Sequence, residues 1–92
     1  MELSDYRGEI DRIDSQIVRL LTERMDVCRR IAEWKNQKGL PVLDEAREQE
    51  KLERLAAAAP EEYADDVQTV YRLLFALSRR QQIHHMEKEA QK

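Results

Sequence analysis

Ninety-two residues suffice for one small domain, and a chain this short buries so modest a share of its surface that a second copy is a natural source of further core. Sixteen basic residues stand against nineteen acidic ones, a net charge of −3, which lacks the basic excess that a nucleic-acid binder needs. The start, Met1 to Arg7, has no apolar signal region, no later stretch is long and apolar enough for a bilayer, and a lone Cys28 cannot close an internal disulfide; the expectation is a soluble protein of the cytoplasm, with neither membrane nor nucleic acid as partner.

Two glycines and two prolines leave little turn punctuation, and the helix formers Leu, Ala, Glu, Lys, Arg and Gln dominate the rest. The expected class is all-α, one domain over residues 1–92 with three helices. The first helix is predicted over about 4–38, with Ser4 as N-cap and Gly39 as stop. One heptad seam in it carries Leu3, Ile10, Ile17, Arg24, Ile31 and Lys38, and its companion carries Tyr6, Ile13, Leu20, Val27 and Trp34. Gly8 costs roughly 1 kcal/mol there, tolerable near a fraying end.

Asp44 is the N-cap candidate of a second helix, about 45–58, with Glu45 and Glu48 in its first turn and Leu52, Leu55 and Ala56 on its buried face. Pro60-Glu61-Glu62 suits the first turn of a third, about 61–87. Its broad inner face is expected to hold Tyr63, Val67, Val70, Tyr71, Leu74, Leu77, Ser78, Gln81 and Gln82, and its polar end from His84 is expected to fray. The first helix spans roughly 52 Å, whereas a compact monomer of this length is about 30 Å across. Two further helices cannot cover such a seam, so a dimer is expected.

Five polar side chains interrupt these apolar lines. Arg24 sits in a seam, Lys35 points the same way three turns later, Glu48 begins the buried line of the second helix, and Ser78 and Gln82 continue the line from Leu74. Each alone reads as a register device, a snorkelling cation or a helix-end polar group. Buried charges are costly unless paired, so all five in one small chain suggest a cationic pocket for a small di-acid inside a bundle. No nucleophile–base pair and no metal set stands out. Cys28 reads as a small packed residue, and the adjacent His84 and His85 as solvated side chains. Neither a metal nor another cofactor is expected.

Five segments carry a resemblance: Tyr6-Arg7-Gly8-Glu9-Ile10-Asp11-Arg12-Ile13-Asp14, Leu20-Leu21-Thr22-Glu23-Arg24, Ile31-Ala32-Glu33-Trp34-Lys35, Pro41-Val42-Leu43-Asp44-Glu45-Ala46-Arg47-Glu48 and Ser78-Arg79-Arg80-Gln81-Gln82. In this order and spacing they resemble the all-α chorismate mutases across essentially the whole chain. The resemblance implies an intertwined homodimer that rearranges chorismate to prephenate in aromatic amino-acid biosynthesis. It also implies that Arg24 and the other protomer's Arg7 bind the substrate carboxylates, with Arg47 in the same cluster and Ser78 touching a carboxylate. Lys35 and Gln82 would donate to the ether oxygen of the breaking bond, and Glu48, with the backbone near Asp44, would hold the ring hydroxyl. The connection around Ala56–Pro60 is shorter than the family pattern, and Gly8 beside Arg7 is an unusual choice. An isochorismate-pyruvate lyase of the same fold is the alternative, or a non-catalytic helical dimerisation or regulatory module; the Asp44…Arg47-Glu48 and Ser78…Gln82 sets look more like the mutase. Association with another enzyme of the pathway stays open.

Overall fold

The computed structural model describes residues 1–90, which form α1 (Leu3–Lys38), α2 (Glu45–Ala58), a single 3-10 turn (Glu61–Tyr63) and α3 (Ala64–Ala90), with no strand among them. α1 begins two residues earlier than a Ser4 cap would allow. Glu2 is the extended N-cap residue, and its backbone N–H donates to the Asp5 carboxylate at 2.8 Å, which leaves Ser4 inside the first turn. Acidic Asp5 there also complements the positive end of the helix dipole. The helix ends where expected. Gly39 adopts φ 66°, and the Leu40 N–H closes the turn on the Lys35 carbonyl at 2.9 Å.

Asp44 caps α2 by accepting from the Arg47 N–H at 3.0 Å. The third helix differs from expectation at both ends. Pro60 offers no N–H, and the Tyr63 N–H returns to its carbonyl at 2.9 Å, so residues 61–63 form a tight 3-10 turn before α3 proper starts at Ala64. The far end runs past His84 to Ala90 because it has a neighbour: His85 and Met86 are half-buried, and His85 Nε2 lies 3.3 Å from Glu33 of α1. His85 is therefore not the solvated side chain expected, although His84 is exposed.

α3 packs on both other helices. Cys28 and Ala32 of α1, Leu52 of α2 and Phe75 of α3 form the buried apolar core, and Gln82 is buried with them. Phe75 sits against Tyr71 edge-to-face, ring centroids 6.0 Å apart. The face of α3 that meets the other helices is narrower than expected: Tyr63 and Val70 remain exposed, since three helices do not surround it.

α1 sets the long dimension, 55 Å, beside 28 and 14 Å in the other directions. Its first eighteen residues, Leu3 to Leu20, are all exposed, and the seam residues Ile10, Ile13, Ile17, Leu20, Val27 and Trp34 lie in the open. Each half-exposed side chain of this kind forgoes about 1 kcal/mol of burial. Summed along the seam, that is comparable with the whole stability of a small domain.

The two glycines test the local reading with opposite signs. An added Cβ meets nothing within 4 Å at either site, but only Gly39 has positive φ. Gly39→Ala should cost about 1 kcal/mol, and Gly8→Ala should add up to about 1 kcal/mol. Thermal melts of the two variants should therefore move in opposite directions.

Candidate active site

The C-terminal half of α1, the connection 39–44, the first half of α2 and the second half of α3 enclose a cleft of about 190 Å³. Its position follows from helical spacing. Arg24, Cys28, Ile31 and Lys35 follow one another along one side of α1, and Phe75, Ser78, Arg79 and Gln82 do the same on α3. Asp44, Arg47, Glu48 and Lys51 line the start of α2, and Val42 closes the mouth.

Arg24 donates to the Ser78 hydroxyl through Nη1, and that hydroxyl in turn donates to the Leu74 carbonyl at 2.8 Å. The same Nη1 lies 3.8 Å from Cys28 Sγ, and the guanidinium carbon stands 5.8 Å above the Phe75 ring. One corner of the guanidinium is thus fixed while the rest of its donor fork is left over. Cys28 packs as expected, but its sulfur also borders this polar cluster, 3.6 Å from Ser78 Oγ. Lys35 donates to the Val42 carbonyl at 3.0 Å, which ties the end of α1 to the connection and uses one of three ammonium protons.

Gln82 is 7% exposed as a residue; its side-chain amide makes no hydrogen bond to any described residue, and its polar atoms are not fully buried but open on the cleft. Water in the cleft can satisfy that amide, and a ligand bound there can take the water's place. Glu48 is held by Arg79 across the α2–α3 contact: Arg79 Nη1 donates to both carboxylate oxygens, to Oε2 at 2.6 Å. Asp44 and Arg47 stand at the exposed rim, where the Asp44 carboxylate is occupied as the α2 cap.

Five cations and two carboxylates line the cleft, and one carboxylate is already neutralised by Arg79. The field is strongly positive. Burial, and then the neighbouring Arg47, Arg24 and Arg54, lower the Lys51 ammonium below its ordinary pKa of 10.5, while Cys28 pulls weakly the other way. Such a site favours a small, multiply charged anion over an apolar or cationic ligand. A larger hollow of about 530 Å³, lined by Met25, Leu77, Arg80, Gln81 and His84, lacks a converging polar set of this kind. Among the described residues no cluster of His, Cys, Asp or Glu is placed to hold a metal ion.

Of the residues singled out from sequence, Arg24, Lys35, Asp44, Arg47, Glu48, Ser78 and Gln82 line this one cleft. Arg7 does not. It lies on the exposed first half of α1, roughly 25 Å along the helix axis from Arg24. Lys51, Phe75 and Arg79 belong to the lining and were not singled out. The signal for them was spacing: Lys51 follows Arg47 by four residues, and Phe75, Ser78, Arg79 and Gln82 form an i, i+3, i+4, i+7 set.

A family model described as chorismate mutase type II matches residues 6–83. The chain is 44% identical over 62 residues to a bifunctional chorismate mutase/prephenate dehydratase of Aquifex aeolicus, a match covering 67% of this chain and 17% of that protein. It is 35% identical over 65 residues to a chorismate mutase of Methanocaldococcus jannaschii, covering 71% of this chain and 66% of that one. A 3-dehydroquinate dehydratase of Pyrobaculum aerophilum is 36% identical over 52 residues, 56% of this chain and 17% of its own length. The chain thus spans at most about two thirds of these relatives and less than a fifth of the longer ones. No solved structure matches it at a significant level.

Arg79 is the testable part of this geometry. Arg79→Ala removes a partly exposed ion pair and should cost about 1 kcal/mol of stability, discounted for solvent screening. Restoring the gap with Glu48→Gln in the same chain should recover part of that loss, because no carboxylate then stands unpaired. A double-mutant cycle by chemical denaturation checks this, with coupling expected between the two positions.

Proposed function

Because the chain belongs to the chorismate mutase type II family, we propose that it converts chorismate to prephenate, in aromatic amino-acid biosynthesis, at sites shared between two copies of the chain. The observation that carries this reading is the Gln82 amide, without a hydrogen-bond partner among the described residues and open on the cleft, beside an excess of cations. The rearrangement is unimolecular and pericyclic. One C–O bond breaks as one C–C bond forms, and no proton changes place. The protein has to hold the enolpyruvyl arm over the ring and stabilise negative charge on the ether oxygen.

Each element of the cleft has a part in this. The free donors of Arg24 take one substrate carboxylate in a planar fork, with Ser78 beside it. Lys35 keeps one proton on the Val42 carbonyl and turns another to the ether oxygen, where Gln82 donates from the opposite helix. Glu48, its charge balanced by Arg79, keeps lone pairs for the ring hydroxyl, and the backbone near Asp44 stands beside it. Arg47 closes the rim.

Arg7 enters from a second chain. Two arginines roughly 25 Å apart on one straight helix cannot clasp the same small di-acid. If two α1 helices run antiparallel, Arg7 of one approaches Arg24 of the other, and the same pairing covers the exposed seam of both. An intertwined homodimer answers the open apolar face and the distant arginine together. Fused relatives also make association with another enzyme of the pathway a natural extension of this reading.

The direct test incubates the protein with chorismate and, separately, with isochorismate. Loss of chorismate with prephenate as product is expected. Pyruvate release from isochorismate, with chorismate untouched, would assign it to the lyases instead. Lys35→Ala should lower kcat by about 100-fold or more, since the lost donor acts mainly on the transition state; an effect on KM alone would remove Lys35 from the ether oxygen.

Gln82→Glu supplies a pH test. A protonated glutamic acid can donate to the ether oxygen, whereas a carboxylate repels the charge developing there. Activity of this variant should persist in acid and disappear as pH rises through the introduced group's pKa, while the wild type stays level across that range. A variant profile parallel to wild type would place Gln82 away from the ether oxygen.

A further inference from the structure

Lys51 is a half-buried cation with no counter-charge. It follows Arg47 by one turn of α2 and borders the cleft, while the adjacent Leu52 packs into the core and fixes the rotation of the helix. No hydrogen bond or ion pair joins its ammonium to any described residue. Glu48, three residues earlier and the natural intrahelical partner, is committed to Arg79 on α3. Asp44 is occupied as the helix cap.

What surrounds Lys51 instead is positive. Arg24 of α1 and Arg47 and Arg54 of α2 all repel its charged form, with burial acting the same way. A lysine on an open helix face escapes such a field by swinging into water. Here the side chain remains in the cleft, beside the Arg24 and Arg47 guanidinium groups, which pair with no carboxylate among the described residues, whereas Arg54 is paired with Glu50 at 2.9 Å. Like charges gathered without an anion are costly, and an incoming dianion offsets that cost.

We propose that Lys51 is a further substrate-binding residue, whose ammonium takes a carboxylate of the substrate alongside Arg24. The Glu48–Arg79 pair is part of the same arrangement, because it commits the carboxylate one turn before Lys51 to another helix. This role rests on the mutase reading for the identity of the substrate, but not for its charge. A compact, charged ammonium binds the ground state and the transition state alike, so its effect falls on KM rather than on kcat.

The experiment compares wild type with Lys51→Met, Lys51→Arg and Lys51→Glu, using the full chain, by steady-state turnover of chorismate and by calorimetric titration with adipate as a plain dicarboxylate. Lys51→Met, which keeps the length and helix propensity, should raise KM about tenfold with kcat within about twofold. Lys51→Arg should stay near wild type, and Lys51→Glu should raise KM further still. Adipate affinity should follow the same order. Thermal melts should match wild type for the Arg variant and fall no lower than wild type for the Met variant, which separates lost binding from lost fold. A Met variant with wild-type KM and adipate affinity, or an Arg variant as impaired as Met, overturns the proposal. A wild type that binds adipate but leaves chorismate unchanged defeats the mutase reading alone, and the adipate titrations then decide Lys51 by themselves.

Discussion

α1 runs for 36 residues, and its first half is exposed along its whole length. That single mismatch between helix length and available cover constrains the rest of the molecule. α3 covers only the C-terminal half of α1, so the cleft can form only there. The other half carries a continuous apolar seam and Arg7 into open solvent. A chain whose buried apolar residues, among those described, are Cys28, Ala32, Leu52 and Phe75 has too little core of its own to stand far above its unfolding threshold. On the proposed reading, the partner's seam supplies that core and its Arg7 supplies the missing charge in one docking step.

Inside the cleft, charge is arranged by commitment rather than by neutralisation. Arg79 absorbs Glu48, the α2 cap absorbs Asp44, and Ser78 holds one corner of Arg24. What is left over is a set of cations and one amide open on the cleft, all bordering the same small volume. For a reaction that moves no proton, such a preset field is the main lever a protein has. The fixed partners also limit reorganisation: Lys35 is anchored on Val42, and Arg24 on Ser78, before any ligand arrives.

The fold was legible where local chemistry decides. Gly39 and Asp44 marked helix ends, and the heptad seam marked both the length of α1 and the face it leaves uncovered. Less legible were features set by packing between helices. Ser4 looked like a cap, but Asp5 reaches the Glu2 N–H and starts the helix earlier. His84 and His85 looked like a fraying end, yet contact with Glu33 on α1 holds His85 in place. In the site, polar residues interrupting apolar lines announced Arg24, Lys35, Glu48, Ser78 and Gln82. Lys51 and Arg79 escaped notice because a charged residue on a helix is ordinarily a solvated one. Only the contact between α2 and α3 turns them inward.

The sharing of each site between two chains is tested most directly by complementation between Arg7→Ala and Arg24→Ala. Each variant alone is expected to be nearly inactive. In a mixed antiparallel dimer, one site keeps both arginines and the other loses both. Equal amounts unfolded together and refolded should give about half heterodimers by random pairing, and hence roughly a quarter of wild-type activity. Activity staying at the level of the single variants, with heterodimers verified by mass, would contradict the account, because Arg7 and Arg24 would then not serve one site.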